Sequence, residues 1–220
     1  MNSPTFCRIL AYFLLHSNRP IPARAVYEEI WPDELFDNPG NNMKSMLVRF
    51  KNVFNIISDH RLIISTPQGY MLNPELNIMT DVKTFEECYV EAQGAVTTQT
   101  KIELLKRAVE CYQGELLTLA SAEPWIMSHQ ISYKYKCLGI YTELMKECFG
   151  IQNYTSVQYY AGKALQIEKA NPDTYYWMIR AMKRQDSHTM VKGELLTAKN
   201  VLLQEDYEEL IHKLNMEKDE

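Results

Sequence analysis

Side chains able to do chemistry are scattered along this 220-residue chain. The five histidines, His16, His60, His129, His188 and His212, include no pair at i, i+3 or i, i+4, the spacing that turns two imidazoles toward one metal. His60 follows Asp59 directly, which is not ligand spacing. The five cysteines, Cys7, Cys88, Cys111, Cys137 and Cys148, are odd in number and contain no C-x-x-C. Such a set predicts reduced, mostly buried thiols and a cytoplasmic protein. Metalloprotease, nucleophile-elbow, Walker and dinucleotide motifs are absent from the sequence. Carboxylate neighbours such as Glu86/Glu87 and Glu208/Glu209 fall on amphipathic segments and predict solvated faces. The clusters Tyr159/Tyr160 and Tyr175/Tyr176/Trp177 suit either a ligand groove or the packing of helical hairpins. These residues predict no enzyme, no metal and no cofactor.

One segment carries a constellation of another kind. From Asn41 to Asn55, Met43, Met46, Leu47, Phe50, Val53 and Phe54 recur at helical spacing and predict one continuous buried stripe. At about 100° per residue the opposite face is centred on Asn41, Ser45, Val48, Asn52 and Asn55. Lys44 and Lys51 flank that face on one side and Arg49 on the other. Asparagine can pair with an adenine edge. Flanking cations can meet phosphates on either wall of a DNA groove. The same pattern also describes the wet side of a core helix, so the face alone leaves both readings open. Arg61, beside the hairpin that follows, is a candidate further contact or an ordinary surface arginine.

The elements around this segment give it a setting. Phe6–His16 has helical spacing, and a second helix follows from about Pro22 with Val26, Tyr27 and Ile30 as its stripe. Pro32–Gly40 is polar and acidic, and Asn38-Pro39-Gly40 reads as a turn. Leu62–Thr66, the turn Pro67-Gln68-Gly69 and Tyr70–Leu72 read as a short hairpin. Helix, helix, turn, helix, hairpin is the order of a winged helix-turn-helix.

The chain divides near Pro74–Asp81. Residues 1–75 carry seven basic and seven acidic side chains, and residues 76–220 carry 16 and 21. With a net charge of −5 the whole chain is no strongly basic nucleic-acid binder, though a local basic face is allowed. The second part reads as helices throughout: Asp81 caps the first, Thr100-Lys101-Ile102-Glu103 opens the next as a capping box, and Glu123-Pro124-Trp125 opens a long one ending near Phe149. Further helices are expected over Thr155–Glu168, Asp173–Arg184, Thr189–Leu203 and Tyr207–Leu214. Tyr141, Leu144, Met145 and Cys148, followed by Val157, Ala161 and Ala164, fit the large-then-small packing of a tetratricopeptide (TPR) unit. Tyr176, Ile179 and Met182 begin the next. The expected fold is mainly α: a winged helix-turn-helix domain over 1–75, then an all-α TPR-like domain over 76–220. The longest early apolar run, Phe6–Leu15, is too short to span a membrane.

Nearly the whole chain resembles the SARP family of bacterial transcriptional regulators. Ile9–Leu15 is similar to the family's first helix and Ile21–Asp33 (IPARAVYEEIWPD) to its second. Asn41–Phe54 is similar to its recognition helix, and Ile64–Leu72 (ISTPQGYML) to its wing. Asp81–Phe85, Tyr112–Leu117 (YQGELL) and Trp125 resemble the opening of its bacterial transcriptional activation domain. The resemblance implies an activator that binds double-stranded DNA, with Arg49 and Lys51 at positions where the family has DNA-contacting arginines, Asn41 where an arginine is common and Val48 at the groove-facing centre. The helix face itself adds Lys44 as a phosphate contact and Asn41, Ser45 and Asn52 as residues facing bases, and Arg61 is a candidate wing contact. The resemblance also implies that the Pro32–Gly40 loop and the helical domain contact RNA polymerase or a second copy in a homodimer. The sequence departs from the family in three ways. Its recognition helix is less cationic, its last repeat is indistinct, and only Met1–Thr5 precede Phe6 where the family has a small sheet. Either the sheet is missing, or the chain is a fragment, or the gene start is misplaced, and loss of the sheet would expose an edge at the wing. A protein-interaction module that has lost DNA binding is the alternative expectation.

Overall fold

A computed structural model describes residues 3–16, 19–34, 37–54, 60–118 and 123–216. The chain forms two compact units, one of Met1–Thr80 with Ala122–Trp125, the other of Asp81–Ser121 with Ile126–Glu220.

The first unit contains α1 (Ser3–Leu15), α2 (Ala23–Ile30), α3 (Pro39–Phe54) and the antiparallel strands β1 (Ile63–Thr66) and β2 (Gly69–Leu72). Its core is aliphatic and aromatic: Ile9, Phe13, Val26, Met43 and Phe50 are buried. Phe6 of α1 stacks on Phe50 at 4.1 Å between ring centroids. Tyr12 donates its hydroxyl to Glu29 at 2.9 Å and meets the Trp125 ring edge-on.

Two local expectations need correction. Asn38-Pro39-Gly40 is not a free turn but the start of α3. The Asn38 Oδ1 accepts the Asn41 N–H at 3.1 Å, and proline occupies the first helical position. There its missing N–H would have had no intrahelical partner anyway, and its fixed φ suits a helix. Nor is the wing bare at its β2 edge. Ile21, in the link between α1 and α2, exchanges two backbone hydrogen bonds with Tyr70, each 2.8 Å.

The second unit contains α4 (Asp81–Gln93), α5 (Thr98–Cys111), α6 (Pro124–Gly150, whose first two residues belong to the first unit), α7 (Tyr154–Ile167), α8 (Pro172–Arg184), α9 (His188–Val201) and α10 (Gln204–Met216). Asparagine side chains set two starts: Asn153 accepts from the Ser156 N–H at 3.2 Å, and Asn171 from the Thr174 N–H at 3.0 Å. α5 starts a turn earlier than the capping-box reading gave, because Thr97 rather than Thr100 is its cap and accepts the Thr100 N–H. Helix α4 packs on α5, α7 on α8, and α8 on both α9 and α10. Tyr141, Leu144, Met145 and Cys148 are buried together with Val157, Ala161 and Ala164 in one core. Small residues on α7 let the bulky ones of α6 approach, as the repeat pattern requires. A second core joins Tyr175, Ile179, Ala198, Leu210 and Leu214. Here Tyr175 is the buried tyrosine, and Tyr176, expected in its place, lies at the margin.

Glu86 is not a purely solvated carboxylate. It accepts from Lys136 Nζ at 2.6 Å and from the Tyr133 hydroxyl at 3.0 Å. Burial pushes its carboxyl up, but these two donors more than reverse that and hold it below the ordinary glutamate range. A lowered native pKa contributes stability above the unfolded value, and that contribution is lost as pH falls through the native one. Glu86→Gln is therefore expected to lower the urea midpoint at neutral pH. The gap from wild type should close as the buffer is taken below the ordinary carboxylate range.

Candidate nucleic-acid interface

The apolar stripe of α3 decides which side of the helix is free. Met43 and Phe50 are fully inside, while Met46, Leu47 and Phe54 are half-buried. The stripe is thus buried at its centre rather than along its whole length. Val53's side chain and Asn55 lie outside the described residues. Leu47 stays partly open because it faces a cavity instead of another helix.

Opposite the stripe, Asn41, Ser45, Val48 and Asn52 are all exposed, with Val48 at 60 %. Lys44, Arg49, Lys51 and Arg61 are exposed as well. No carboxylate among the described residues pairs with any of these four cations. Arg49 leaves the ridge on one side, while Lys44 and Lys51, seven residues apart, leave it on the other. Seven residues are close to two turns, so the two lysines point the same way about 10 Å apart along the axis.

The wing lies on the lysine side. A cavity of about 280 Å³ is lined by Lys44, Leu47, Val48, Phe50 and Lys51 from α3, by Arg61, Leu62, Ile63 and Ser65 leading into and along β1, and by Tyr70 of β2. Its inner wall is apolar and its rim carries three positive charges. The fold therefore brings Lys44, Lys51, Val48 and Arg61 together. Asn41, Ser45 and Asn52 stay on the adjoining ridge and Arg49 on its far side. Ser65 joins the rim although sequence reasoning had not picked it out. Ser65 stands two residues after Ile63 and so on the same face of the strand, which was the available signal.

An exposed polar ridge, three cations along one flank and one along the other can hold an extended polyanion by charge and hydrogen bonding, with an apolar contact at its centre. Among the described residues, no group of His, Cys, Asp and Glu is placed to hold a metal ion, and no helix is long and apolar enough to cross a membrane.

No family model and no curated protein matches the sequence. The fold does match a solved structure, Mycobacterium tuberculosis EmbR in complex with a low-affinity phosphopeptide, with a TM-score of 0.69 at 14 % identity. The match covers 90 % of this chain and 54 % of the EmbR chain, so the chain spans about half of EmbR's length. The likeness shows an EmbR-like fold: mainly α, a winged helix-turn-helix with a hairpin wing, then a TPR-like helical domain.

Proposed function

We propose that this chain is a DNA-binding transcriptional regulator, an activator working in the cytoplasm, that docks α3 in the major groove of double-stranded DNA. Residues 1–75 are its DNA-binding domain and residues 76–220 its activation domain. The observation that carries this reading is the convergence of Lys44, Lys51 and Arg61 on one rim beside an exposed asparagine–serine ridge. In this arrangement Asn41, Ser45 and Asn52 face base edges. Val48 supplies apolar contact for a thymine methyl, and Arg49 meets the strand opposite the one that Lys44, Lys51 and Arg61 follow. The acidic segment 32–38 ahead of α3, of which residues 35 and 36 lie outside the described residues, and the helical domain contact RNA polymerase or a second copy, in keeping with the family resemblance of the motifs.

The test is salt-dependent binding to fragments selected from random DNA. Joint replacement Arg49→Ala and Lys51→Ala is expected to weaken binding on every sequence alike. It should flatten the slope of log affinity against log salt by about 1.8, two contacts at roughly 0.9 each. An unchanged curve means these are not contacts.

Val48 supports a second reading. An apolar side chain 60 % exposed at the centre of the ridge, on a unit with balanced charge, also suits a surface that docks protein. Retention on heparin or bulk DNA at low salt separates the two, since a protein-docking module would flow through.

A further inference from the structure

We propose that the groove between α5 and α7 binds a small organic anion bearing a flat ring. It is a cavity of about 630 Å³, lined by Lys106, Val109 and Glu110 of α5, the Tyr112–Gly114 turn, Tyr141 of α6, and Tyr159, Tyr160, Lys163, Gln166 and Ile167 of α7. That size is ordinary for a small-molecule pocket. The reading is independent of DNA binding.

The charge of the lining selects an anion. Two ammonium groups, Lys106 and Lys163, face one carboxylate, Glu110, and neither lysine is paired with a carboxylate among the described residues. The hydroxyls of Tyr112, Tyr141, Tyr159 and Tyr160 likewise have no hydrogen-bond partner among the described residues. Tyr141 and Tyr160 are almost wholly buried, and burial pushes both hydroxyls up to about 12, so they remain protonated donors. Hydroxyl donors without protein acceptors, next to unpaired cations, are what a carboxylate or phosphate needs.

The ring is selected by the outer wall. Tyr159 is 59 % exposed, and its ring stands edge-on to Tyr160 at 5.2 Å. Lys163 lies over that ring at 5.8 Å. A planar ligand can stack on Tyr159 while Val109 and Ile167 supply apolar contact, and its anionic head reaches the lysines and the tyrosine hydroxyls.

Titration calorimetry on the full chain tests this with two matched pairs: adenosine monophosphate against adenosine, and indole-3-acetate against indole-3-acetamide. The expected result is saturable binding of an anion, with its uncharged counterpart at least about tenfold weaker. Whichever anion wins distinguishes a phosphate from a carboxylate head. Lys106→Ala with Lys163→Ala should erase the preference for charge, and Tyr159→Leu should weaken both members of the winning pair. Lys192→Ala, outside the groove, should do neither. Far-ultraviolet circular dichroism confirms that the variants are folded; all the replaced side chains are at least partly exposed. Absence of saturable binding with both anions at millimolar concentration overturns the proposal, as does binding that survives the double lysine replacement unchanged. DNA retention by the same variants reads the regulatory proposal separately.

Discussion

Replacing Gly69 with alanine is expected to remove the wing from its place beside α3. Gly69 has a φ of +142°, a backbone conformation open to glycine and costly for any L side chain. Strain is the smaller problem. A Cβ at this position would overlap the backbone carbonyl of Ile21 and come within 2.7 Å of the Pro22 nitrogen, and backbone cannot swing aside as a side chain can. Relief requires Ile21 to withdraw, which breaks both of its hydrogen bonds to Tyr70. Conformational strain of about 1–3 kcal/mol and two lost backbone bonds of about 1 kcal/mol each give a cost of about 3–5 kcal/mol. In a unit of this size that corresponds to a fall in melting temperature of at least about 12 °C. Amide hydrogen exchange locates the effect. Protection at Ile21 and Tyr70 should collapse while the amides of α8 keep theirs. Unchanged protection at those two amides would show that the clash is relieved elsewhere. Since the wing carries the chain from Arg61 past the α3 cavity, the same variant is expected to bind DNA more weakly, although none of the four cations has changed.

The Ile21–Tyr70 pairing also shows what a linear reading reaches and what it does not. The helix phases of α3, α6 and α7 were legible because burial of one face writes a period of 3.6 into the sequence, and no partner has to be known to see it. The outward ridge at Asn41, Ser45, Val48 and Asn52 follows from the same period. How deeply a stripe is buried depends on what covers it, and so Leu47, opposite a cavity, was misjudged while Met43 and Phe50 were not. Asn38-Pro39-Gly40 was ambiguous for a chemical reason. Asparagine and proline serve turns and helix starts alike, and the apolar run that follows decides between them. Ile21 meeting Tyr70, Arg61 meeting Lys44 and Lys51, and Glu86 meeting Tyr133 and Lys136 are products of tertiary placement. No local propensity encodes them. The candidate interface was thus half visible: its helix face could be read directly, while the gathering of three cations on the wing side could not.

That asymmetry leads to the largest functional effect expected of any surface change. Joint replacement of Lys44, Lys51 and Arg61 by alanine removes the entire charged rim of the α3–wing cavity. All three side chains are exposed and unpaired with any described carboxylate, so the change should move stability by no more than about 0.5 kcal/mol. If the three meet successive phosphates, the salt slope should fall by about 2.7. Charge-assisted contacts of roughly 1–2 kcal/mol each should together reduce affinity about 10²–10⁴-fold at moderate salt. Arg49→Ala, alone on the other flank, should cost a single contact: a slope change of about 0.9 and roughly tenfold in affinity. The ratio between the two variants reports which flank of α3 follows the DNA backbone most closely. Equal effects would mean that the helix enters the groove symmetrically and that the wing contributes nothing. A triple variant with wild-type affinity and slope would leave the cavity rim without a nucleic-acid role, and the exposed Val48 ridge would then belong to a protein partner.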